Sequence, residues 1–264
     1  MDGRAGRVVL VTGAARGIGA ATVRALVARG DRVVAVDELP LDDGHDGHDG
    51  HDSHDGHDSH ADHADVIGCV ADVRDRAALA GAVDLALDRW GRLDAAVAAA
   101  AVVAGGRPLW ETPEADLDLL WDVDVKGVWN TAAVAVPAML AGPDPSGGRF
   151  VAVASAAGHH GLHHLAAYNA AKHAVVGLTK GLAADLVGTG VTACAVSPGS
   201  TRTPMLDATA ALYGLSDVEE FAGNQLLRRL LDPAEVAAVI AFCCSVEGAA
   251  VNGSVVHADG GFAP

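Results

Sequence analysis

The fold is decided by residues 8–30, VVLVTGAARGIGAATVRALVARG, in which an apolar run leads through a glycine-rich turn into a helix. The β-branched run Arg7–Val11 predicts a buried strand, and Ala20–Arg29 predicts a helix that ends at Gly30. A second apolar run, Arg32–Val36, predicts the next strand. This strand–helix–strand unit predicts a parallel sheet.

The same alternation continues to the end of the chain. Further strands are predicted at Val66–Val70, Leu93–Ala98, Gly148–Ala154, Val191–Val196 and Ser254–His257. Further helices are predicted at Arg74–Trp90, Glu114–Leu140, Ala166–Val187 and Pro233–Ser245. The pattern predicts an α/β fold: a single doubly wound Rossmann-type domain over residues 1–264, with a seven-stranded parallel sheet and helices on both faces.

Charge and composition exclude several classes of protein. The net charge is -16, and no basic face that would bind nucleic acid is evident. No apolar run is long enough to span a bilayer, and the N-terminus lacks the pattern of a signal peptide. The four cysteines lack metal-ligand spacing, so we expect a reduced, cytoplasmic protein without nucleic-acid or membrane partners.

Residues 38–65 differ from the rest of the chain. Histidine recurs at every third position from His45 to His63, with Asp, Gly and Ser between. Such a segment cannot bury enough apolar surface to order itself, so we predict a solvated, mobile insertion. Imidazoles suit Zn, Ni and Cu, but this spacing specifies no defined geometry, and no metal site is predicted.

The glycine loop predicts a dinucleotide site. Gly13, Gly17 and Gly19 allow a tight turn and a close approach of the backbone to a diphosphate at a helix N-terminus. Asp37 directly follows the second strand, where a carboxylate binds the ribose hydroxyls and repels a 2′-phosphate. NAD is therefore favoured over NADP, although Arg16 would suit a phosphate.

A hydroxyl, a phenol and an ammonium form the predicted catalytic set. Tyr168 and Lys172 are four residues apart and share one helical face, while Ser155 ends a predicted strand. The Lys172 charge and the positive nicotinamide ring of a bound cofactor are expected to move the pKa of Tyr168 toward neutrality, so that Tyr168 transfers the proton. Ser155 would hold the substrate oxygen.

These motifs, with SPGSTRTPM at 197–205 and HADGGF at 257–262, resemble the short-chain dehydrogenase/reductase family. The resemblance implies NAD-dependent hydride transfer between a small alcohol and its ketone or aldehyde. The residues that it implies for cofactor binding are Thr12, Gly13, Arg16, Gly17, Ile18, Gly19, Asp37, Asp72, Val73, Ala98, Ala100, Tyr168, Lys172, Pro198, Gly199, Thr201 and Thr203.

The sequence departs from the family pattern at two places. The family usually has Asn-Asn-Ala-Gly where this chain has Ala98 to Ala101, and there the Asn braces the strand while the Gly admits the cofactor. The family also has a helix Asn that anchors a proton-relay water. The resemblance places Asp124 there as a fourth catalytic residue, with a backbone carbonyl that could still hold the water.

A narrower resemblance is to the mycofactocin-associated members of this family. GGRPLWETP (105–113) and NQLLRRLLDP (224–233) are among the stretches that carry it. It implies NAD that does not exchange freely and is recycled by mycofactocin, with the insertion near the adenosine. Two alternatives stay open: a carbonyl reductase with exchangeable NAD(P)H, and a non-catalytic dinucleotide-binding or metal-binding protein.

The substrate side is less clearly marked. His164 and Tyr213 are the predicted substrate contacts, and residues 201–227 are predicted to form a mobile lid. The family resemblance implies a homotetramer built by pairing two long helices. Apolar residues on those helices, such as Val136 and Met139, would equally suit packing on the sheet.

Overall fold

The computed structural model describes residues 6–41 and 65–263, and within them seven parallel strands form one sheet. The strands are β1 (Val8–Thr12), β2 (Arg32–Asp37), β3 (Val66–Val70), β4 (Ala95–Ala98), β5 (Arg149–Val153), β6 (Thr192–Pro198) and β7 (Val255–Ala258). Their order is β3-β2-β1-β4-β5-β6-β7, and every pairing is parallel. The predicted Rossmann-type sheet is confirmed.

Helices cover both faces of the sheet. They are α1 (Gly17–Ala28), α2 (Arg76–Trp90), α3 (Glu114–Leu120), α4 (Lys126–Ala141), α5 (Ala166–Asp185), α6 (Pro204–Tyr213) and α7 (Pro233–Cys243). Leu26 of α1 and Ile240 of α7 belong to one buried core. Leu79 of α2, Met139 of α4 and Val175 of α5 belong to another core on the opposite face.

The strand β1 explains why its sequence is continuously apolar. Val9 and Val11 belong to the core beneath α1 and α7, while Val8 and Leu10 belong to the core beneath α2, α4 and α5. All four are fully buried. A strand covered on both faces has no solvent side, so its sequence does not alternate.

The order of the strands places the site. The chain passes from β1 to β2 and β3 on one side and returns to β4 on the other, so the order reverses between β1 and β4. Ligands of open parallel sheets bind beyond the carboxyl ends of the strands at this reversal. Gly13 follows β1 there, and Ala99 follows β4.

Two helical regions differ from the prediction. The single helix expected at Glu114–Leu140 is divided into α3 and α4 by a π-helical turn at Trp121–Val125. The predicted lid contains α6, which begins at Pro204 after the capping residue Thr203. The predicted mobile insertion falls largely on residues 42–64, which lie outside the described residues.

Within the described ranges, no helix combines the length and apolar character that crossing a membrane requires. Val136 and Met139 are buried in the core of the chain itself. These two side chains therefore pack on the sheet. The sequence allowed this packing as an alternative to burial between subunits.

Candidate active site

One cavity of about 990 Å³ runs along the carboxyl ends of the strands. Most of the residues predicted for the site line it: Gly13, Arg16, Gly17, Ile18, Gly19, Asp37, Asp72, Val73, Ala100, Ser155, Tyr168, Lys172, Pro198, Gly199, Thr201, Thr203 and Tyr213. Four do not line it: Thr12, Ala98, Asp124 and His164. The first three are buried behind its wall.

Two glycines are required by close backbone contacts at the phosphate end. Gly13 has φ 70°, and a Cβ there would lie 2.7 Å from the backbone of Ala100 at the end of β4. A Cβ on Gly19 would lie 1.9 Å from the carbonyl oxygen of Gly13. Any side chain at either position would therefore push α1 and the loop away from the sheet.

The N-terminus of α1 suits a diphosphate. Arg16, the residue before the helix, is extended and its side chain caps no amide of the first turn. Gly17, Ile18 and Gly19, which form this first turn, lie on the cavity wall. Free amides and the positive end of the helix dipole favour an anion there, so these residues fit the phosphates of a dinucleotide.

Thr12 acts on the protein rather than on the cavity. Its Oγ1 accepts hydrogen bonds from the amides of Ala99 at 3.2 Å and Ala100 at 3.4 Å, and it lies 3.5 Å from the carbonyl oxygen of Val97. The side chain is 1% exposed. Thr12 therefore fixes the end of β4, beside the place where the family's Asn is absent.

Asp37 is positioned at the adenosine end of the cavity. Its Oδ2 accepts a hydrogen bond from the amide of Ala15 at 2.9 Å, and Oδ1 accepts one from the amide of Leu39 at 3.1 Å. The carboxylate thus ties the end of β2 to the glycine loop. Glu38, also on the wall, adds a second negative charge beside it.

An exposed ion pair stands at the same end. The guanidinium of Arg74 contacts Asp72, and its amide donates to Asp72 Oδ1 at 2.8 Å. The hydrogen bonds from Arg74 lower the pKa of Asp72. Glu38 and Arg74 were not among the predicted residues, although each lies next to or near one that was.

The reacting end is formed by β5 and α5. Lys172 Nζ donates to the carbonyl oxygen of Val153 at 3.4 Å and lies 5.7 Å from the centre of the Tyr168 ring. The hydroxyl of Tyr168 lies 3.9 Å from Met205 Sδ of α6. Ser155 Oγ accepts a hydrogen bond from the amide of Ala157 at 3.2 Å. The three predicted catalytic side chains therefore meet on one cavity.

Asp124 forms a buried ion pair with Lys172. Its Oδ2 lies 3.2 Å from Lys172 Nζ, although the angles are not those of a hydrogen bond. Its Oδ1 accepts a hydrogen bond from the amide of Val102 at 2.9 Å. The side chains of Asp124 and Lys172 are 0% and 3% exposed. The π-helical turn, which widens the helix by one residue, carries Asp124 to this place.

The charges at this end oppose one another. Burial lowers the pKa of Lys172, but Asp124 and Tyr168 outweigh it, and the pKa is raised. Burial raises the pKa of Asp124, against the opposing effects of Lys172 and of the amide of Val102. The raised pKa of Lys172 favours its ammonium form.

The pKa of Tyr168 in the protein without cofactor is set by opposing effects. Burial, the largest effect, and Asp124 raise it, and together they outweigh Lys172, which lowers it as predicted, and Ser155, which also lowers it. In the protein alone, the net pKa is above the ordinary value of a phenol. Lys172 and the nicotinamide ring were the two charges that the prediction included, and the buried carboxylate of Asp124 was not among them.

The bracing expected of the family's Asn has other sources here. Ala98 is buried within β4 and carries no polar group. Thr12 holds the amides of Ala99 and Ala100, and Asp124 holds the amide of Val102. Two side chains from other elements therefore fix the segment after β4.

The substrate wall differs by one residue from the prediction. His163 lines the cavity, whereas His164 does not. His164 has a φ of 55°, and its ring stacks on that of His163 at 3.6 Å between centres. Tyr213 lines the cavity as predicted, and its hydroxyl donates to the carbonyl oxygen of His163. Met205 and Leu206 of α6 complete this apolar side.

The chain is similar over nearly its whole length to known oxidoreductases. A family model described as "Enoyl-(Acyl carrier protein) reductase" matches residues 13–263. Oxidoreductase UcpA of Escherichia coli O157:H7 is 35% identical over 261 residues, which cover 97% of this chain and 94% of the relative. A short-chain type dehydrogenase/reductase of Mycolicibacterium smegmatis is 30% identical over 279 residues and 99% of each chain.

A solved structure agrees with this similarity. The crystal structure of levodione reductase superimposes with a TM-score of 0.82 at 29% sequence identity, covering 96% of each chain. Fold, order of motifs and geometry of the cavity therefore point to the same kind of protein.

Proposed function

The chain belongs to the short-chain dehydrogenase/reductase family, and on this premise we propose that it transfers a hydride between NAD and a small alcohol or its ketone or aldehyde. The observation that carries the proposal is the convergence of Ser155, Tyr168 and Lys172 on the cavity that also receives the N-terminus of α1. The amides of α1 and the carboxylate of Asp37 would hold the dinucleotide. When bound, it supplies the hydride chemistry.

Tyr168 moves the proton. In alcohol oxidation its phenolate accepts the proton of the substrate hydroxyl, and in carbonyl reduction its phenol donates the proton to the carbonyl oxygen. Ser155 holds that oxygen by a hydrogen bond. The Tyr168 hydroxyl lies 3.9 Å from Met205 Sδ, a weak acceptor that the substrate oxygen would replace as its partner.

Lys172 and Asp124 set the charge around Tyr168. Lys172 favours the phenolate, and we propose that Asp124 acts as a positioning residue that holds Lys172 charged and fixed against β5. The buried ion pair and the bond from Asp124 to the amide of Val102 support this role. The same carboxylate opposes the phenolate, so this site is expected to favour proton donation more than a site without it.

The proposal is tested by Tyr168→Phe. Turnover with an alcohol or ketone panel is expected to fall by about 10²- to 10⁴-fold, while NAD(H) binding, measured by fluorescence, is retained. The chain has one other tyrosine, which provides a matched variant. Tyr213→Phe removes the bond to His163 and is expected to raise KM more than it lowers kcat. Undiminished kcat in Tyr168→Phe would refute the mechanism.

The preference for NAD rests on Asp37. A 2′-phosphate on the adenosine ribose would meet the carboxylates of Asp37 and Glu38 on the cavity wall. Arg16 and Arg74 line the same wall and favour the phosphate, but Arg74 is engaged by Asp72. We therefore propose NAD as the cofactor.

We also propose that NAD is held tightly and recycled by mycofactocin. The resemblance of the sequence to mycofactocin-associated members supports this, as does the position of the insertion. Residues 42–64 connect β2 and β3 and follow Asp37 closely in sequence. Purified protein is then expected to keep nicotinamide absorbance through desalting. An apo preparation that turns over freely with added NAD would exclude tight retention.

A second candidate is a carbonyl reductase with an exchangeable cofactor. The similarity to levodione reductase favours it, since that protein is named for the reduction of a ketone. Added NADH with a panel of ketones distinguishes the two. Multiple turnovers by desalted protein support the reductase, and a single turnover that stops supports the retained cofactor.

We propose a homotetramer as the assembly. Trp121, next to α3, and Trp129 of α4 are large apolar side chains that are 42% and 58% exposed, and aromatic residues of this kind are enriched at contacts between subunits. Light scattering coupled to gel filtration measures the mass. A monomer at micromolar concentration would refute the proposal.

A further inference from the structure

A group of potential metal ligands lies outside the cavity of the active site. His159, His257 and Asp259 each offer one ligand atom, and these atoms lie within 4.8 Å of one another. Across residues 6–41 and 65–263, no other group of three such residues is found. None of the three lines the active-site cavity.

Two segments of the fold bring these residues together. His159 ends the short turn Ala156–Gly158, which begins at Ser155. His257 lies on β7, and Asp259 directly follows this strand. The rings of His159 and His257 pack edge to face with 4.4 Å between their centres. The group therefore exists only when the loop after β5 and the edge strand are folded together.

We propose that His159, His257 and Asp259 form a binding site for a divalent transition-metal ion, with zinc the expected ion. Two imidazoles and one carboxylate are a donor set that zinc uses with a fourth ligand from solvent. A cleft beside His159 and His257 gives solvent and ions access.

The distances allow the site to close around an ion. Zinc at about 2.0–2.2 Å from each donor in a tetrahedron separates the donors by about 3.4 Å. His257 Nδ1 and Asp259 Oδ2 are already 3.5 Å apart. Because all three donor atoms lie within 4.8 Å of one another, a side-chain shift of at most about 1.4 Å, the difference from the tetrahedral spacing, brings the third donor in.

The ligands are partly held in place. Asp259 Oδ1 accepts a hydrogen bond from the amide of Gly261 at 2.9 Å, which leaves Oδ2 for an ion. Ser197 Oγ lies 3.5 Å from His159 Nδ1, and such outer contacts orient a metal-binding imidazole.

Two further basic side chains line the same cleft and affect how strongly it can bind a cation. His173 lines the cleft, while the ammonium of Lys180 there opposes a cation. The carboxylate of Asp259 is the one anionic ligand of the group. We therefore expect an affinity below that of a buried structural zinc site.

Metal binding here would affect the active site through the chain on either side. The loop that contains His159 begins at the proposed substrate-binding Ser155, and Phe262, just after Asp259, lines the active-site cavity. An ion bound by all three residues would connect the segment that contains His159 to the segment that contains His257 and Asp259. The site would thus stabilise the rim of the substrate pocket without touching the reacting atoms.

The test uses the change in Tm on adding zinc to the full chain. Histidines 45–63 lie outside the described residues and are the same in the wild type and in every variant below, so zinc bound there would contribute equally to all of them. His159, His257 and Asp259 meet only in the folded chain. With zinc about a hundredfold above Kd, Tm is expected to rise by about 5–10 °C in the wild type.

Three variants locate the effect. His159→Ala, His257→Gln and Asp259→Asn are each expected to remove most of the zinc-dependent rise, while circular dichroism without zinc checks that they fold. His163→Ala, a histidine outside the group, is the matched control and keeps the rise. A wild type that shows no rise at millimolar zinc overturns the proposal. So does a rise of equal size in His159→Ala and His257→Gln.

Discussion

The cavity is bordered by two ion pairs of the same type in opposite surroundings. At the reacting end, Lys172 and Asp124 have side chains that are 3% and 0% exposed. At the adenosine end, Arg74 and Asp72 are 50% and 32% exposed. Each pair joins a basic residue to an aspartate within contact distance, so the pairs differ chiefly in their access to water.

This difference assigns the two pairs different roles. Water can replace either partner of the exposed pair, and such pairs add little to stability. In the buried pair, each charge depends on the other, because desolvation of a lone ion costs several kcal/mol. The buried pair therefore fixes the charges around Tyr168, which transfers the proton. The exposed pair forms part of the cavity surface at the adenosine end.

The largest effect is expected from removing one partner of the buried pair. Asp124→Ala leaves Lys172 buried without a counter-charge and should lower the free energy of unfolding by about 3–5 kcal/mol. Denaturant unfolding followed by circular dichroism measures it. The loss of the bond to the amide of Val102 adds to this change.

The matched control removes both charges. Asp124→Leu combined with Lys172→Met should be less destabilised than Asp124→Ala, because no unpaired ion is left behind. Equal or greater loss in the double variant would show that packing, and not charge, dominates at this place.

Asp124→Asn keeps the shape and removes the charge. Because Asp124 raises the pKa of Tyr168, its neutralisation should lower that pKa. The rising limb of kcat/KM for alcohol oxidation is then expected to move to lower pH. A profile measured for wild type and variant under one salt concentration tests this, and an unchanged limb would contradict the electrostatic coupling of Asp124 to Tyr168.

The sequence predicted the sheet because the five inner strands are buried on both faces and are therefore continuous apolar runs, while the edge strands β3 and β7 are partly exposed. It did not predict the π-helical turn at Trp121–Val125, because no periodicity marks one additional residue within a helical stretch. By contrast, α6 carried a readable signal. Thr203 and Pro204 form a capped helix start, and Gly214 ends the helix in the left-handed conformation.

The site was predictable where spacing fixes it and not where tertiary contacts do. Tyr168 and Lys172 share a face because they are one helical turn apart. That the Asp124 side chain turns toward Lys172 depends on two helices meeting, which spacing does not encode. His163 lines the cavity where His164 was predicted to do so. His164 has a positive φ, and residue spacing does not encode such a backbone angle.

A moderate effect is expected at the carboxylate nearest the adenosine. Asp37→Asn keeps one of the two acceptor oxygens that the amides of Ala15 and Leu39 use and removes the charge that repels a 2′-phosphate. The preference for NAD over NADP should fall by about tenfold or more, measured as the ratio of Kd values. Glu38→Gln, next to it on the wall, serves as the comparison variant. A ratio unchanged in Asp37→Asn would place the discrimination elsewhere.

The smallest effect is expected from the exposed pair. Asp72→Asn removes the partner of Arg74, but water solvates both groups, so the unfolding midpoint should stay within error of the wild type. The freed guanidinium is then available to a phosphate at the adenosine end, and binding of NADP should strengthen slightly at low salt and less at high salt. If Asp72→Asn instead destabilised the chain as strongly as Asp124→Ala, access to water would not be what separates the two pairs.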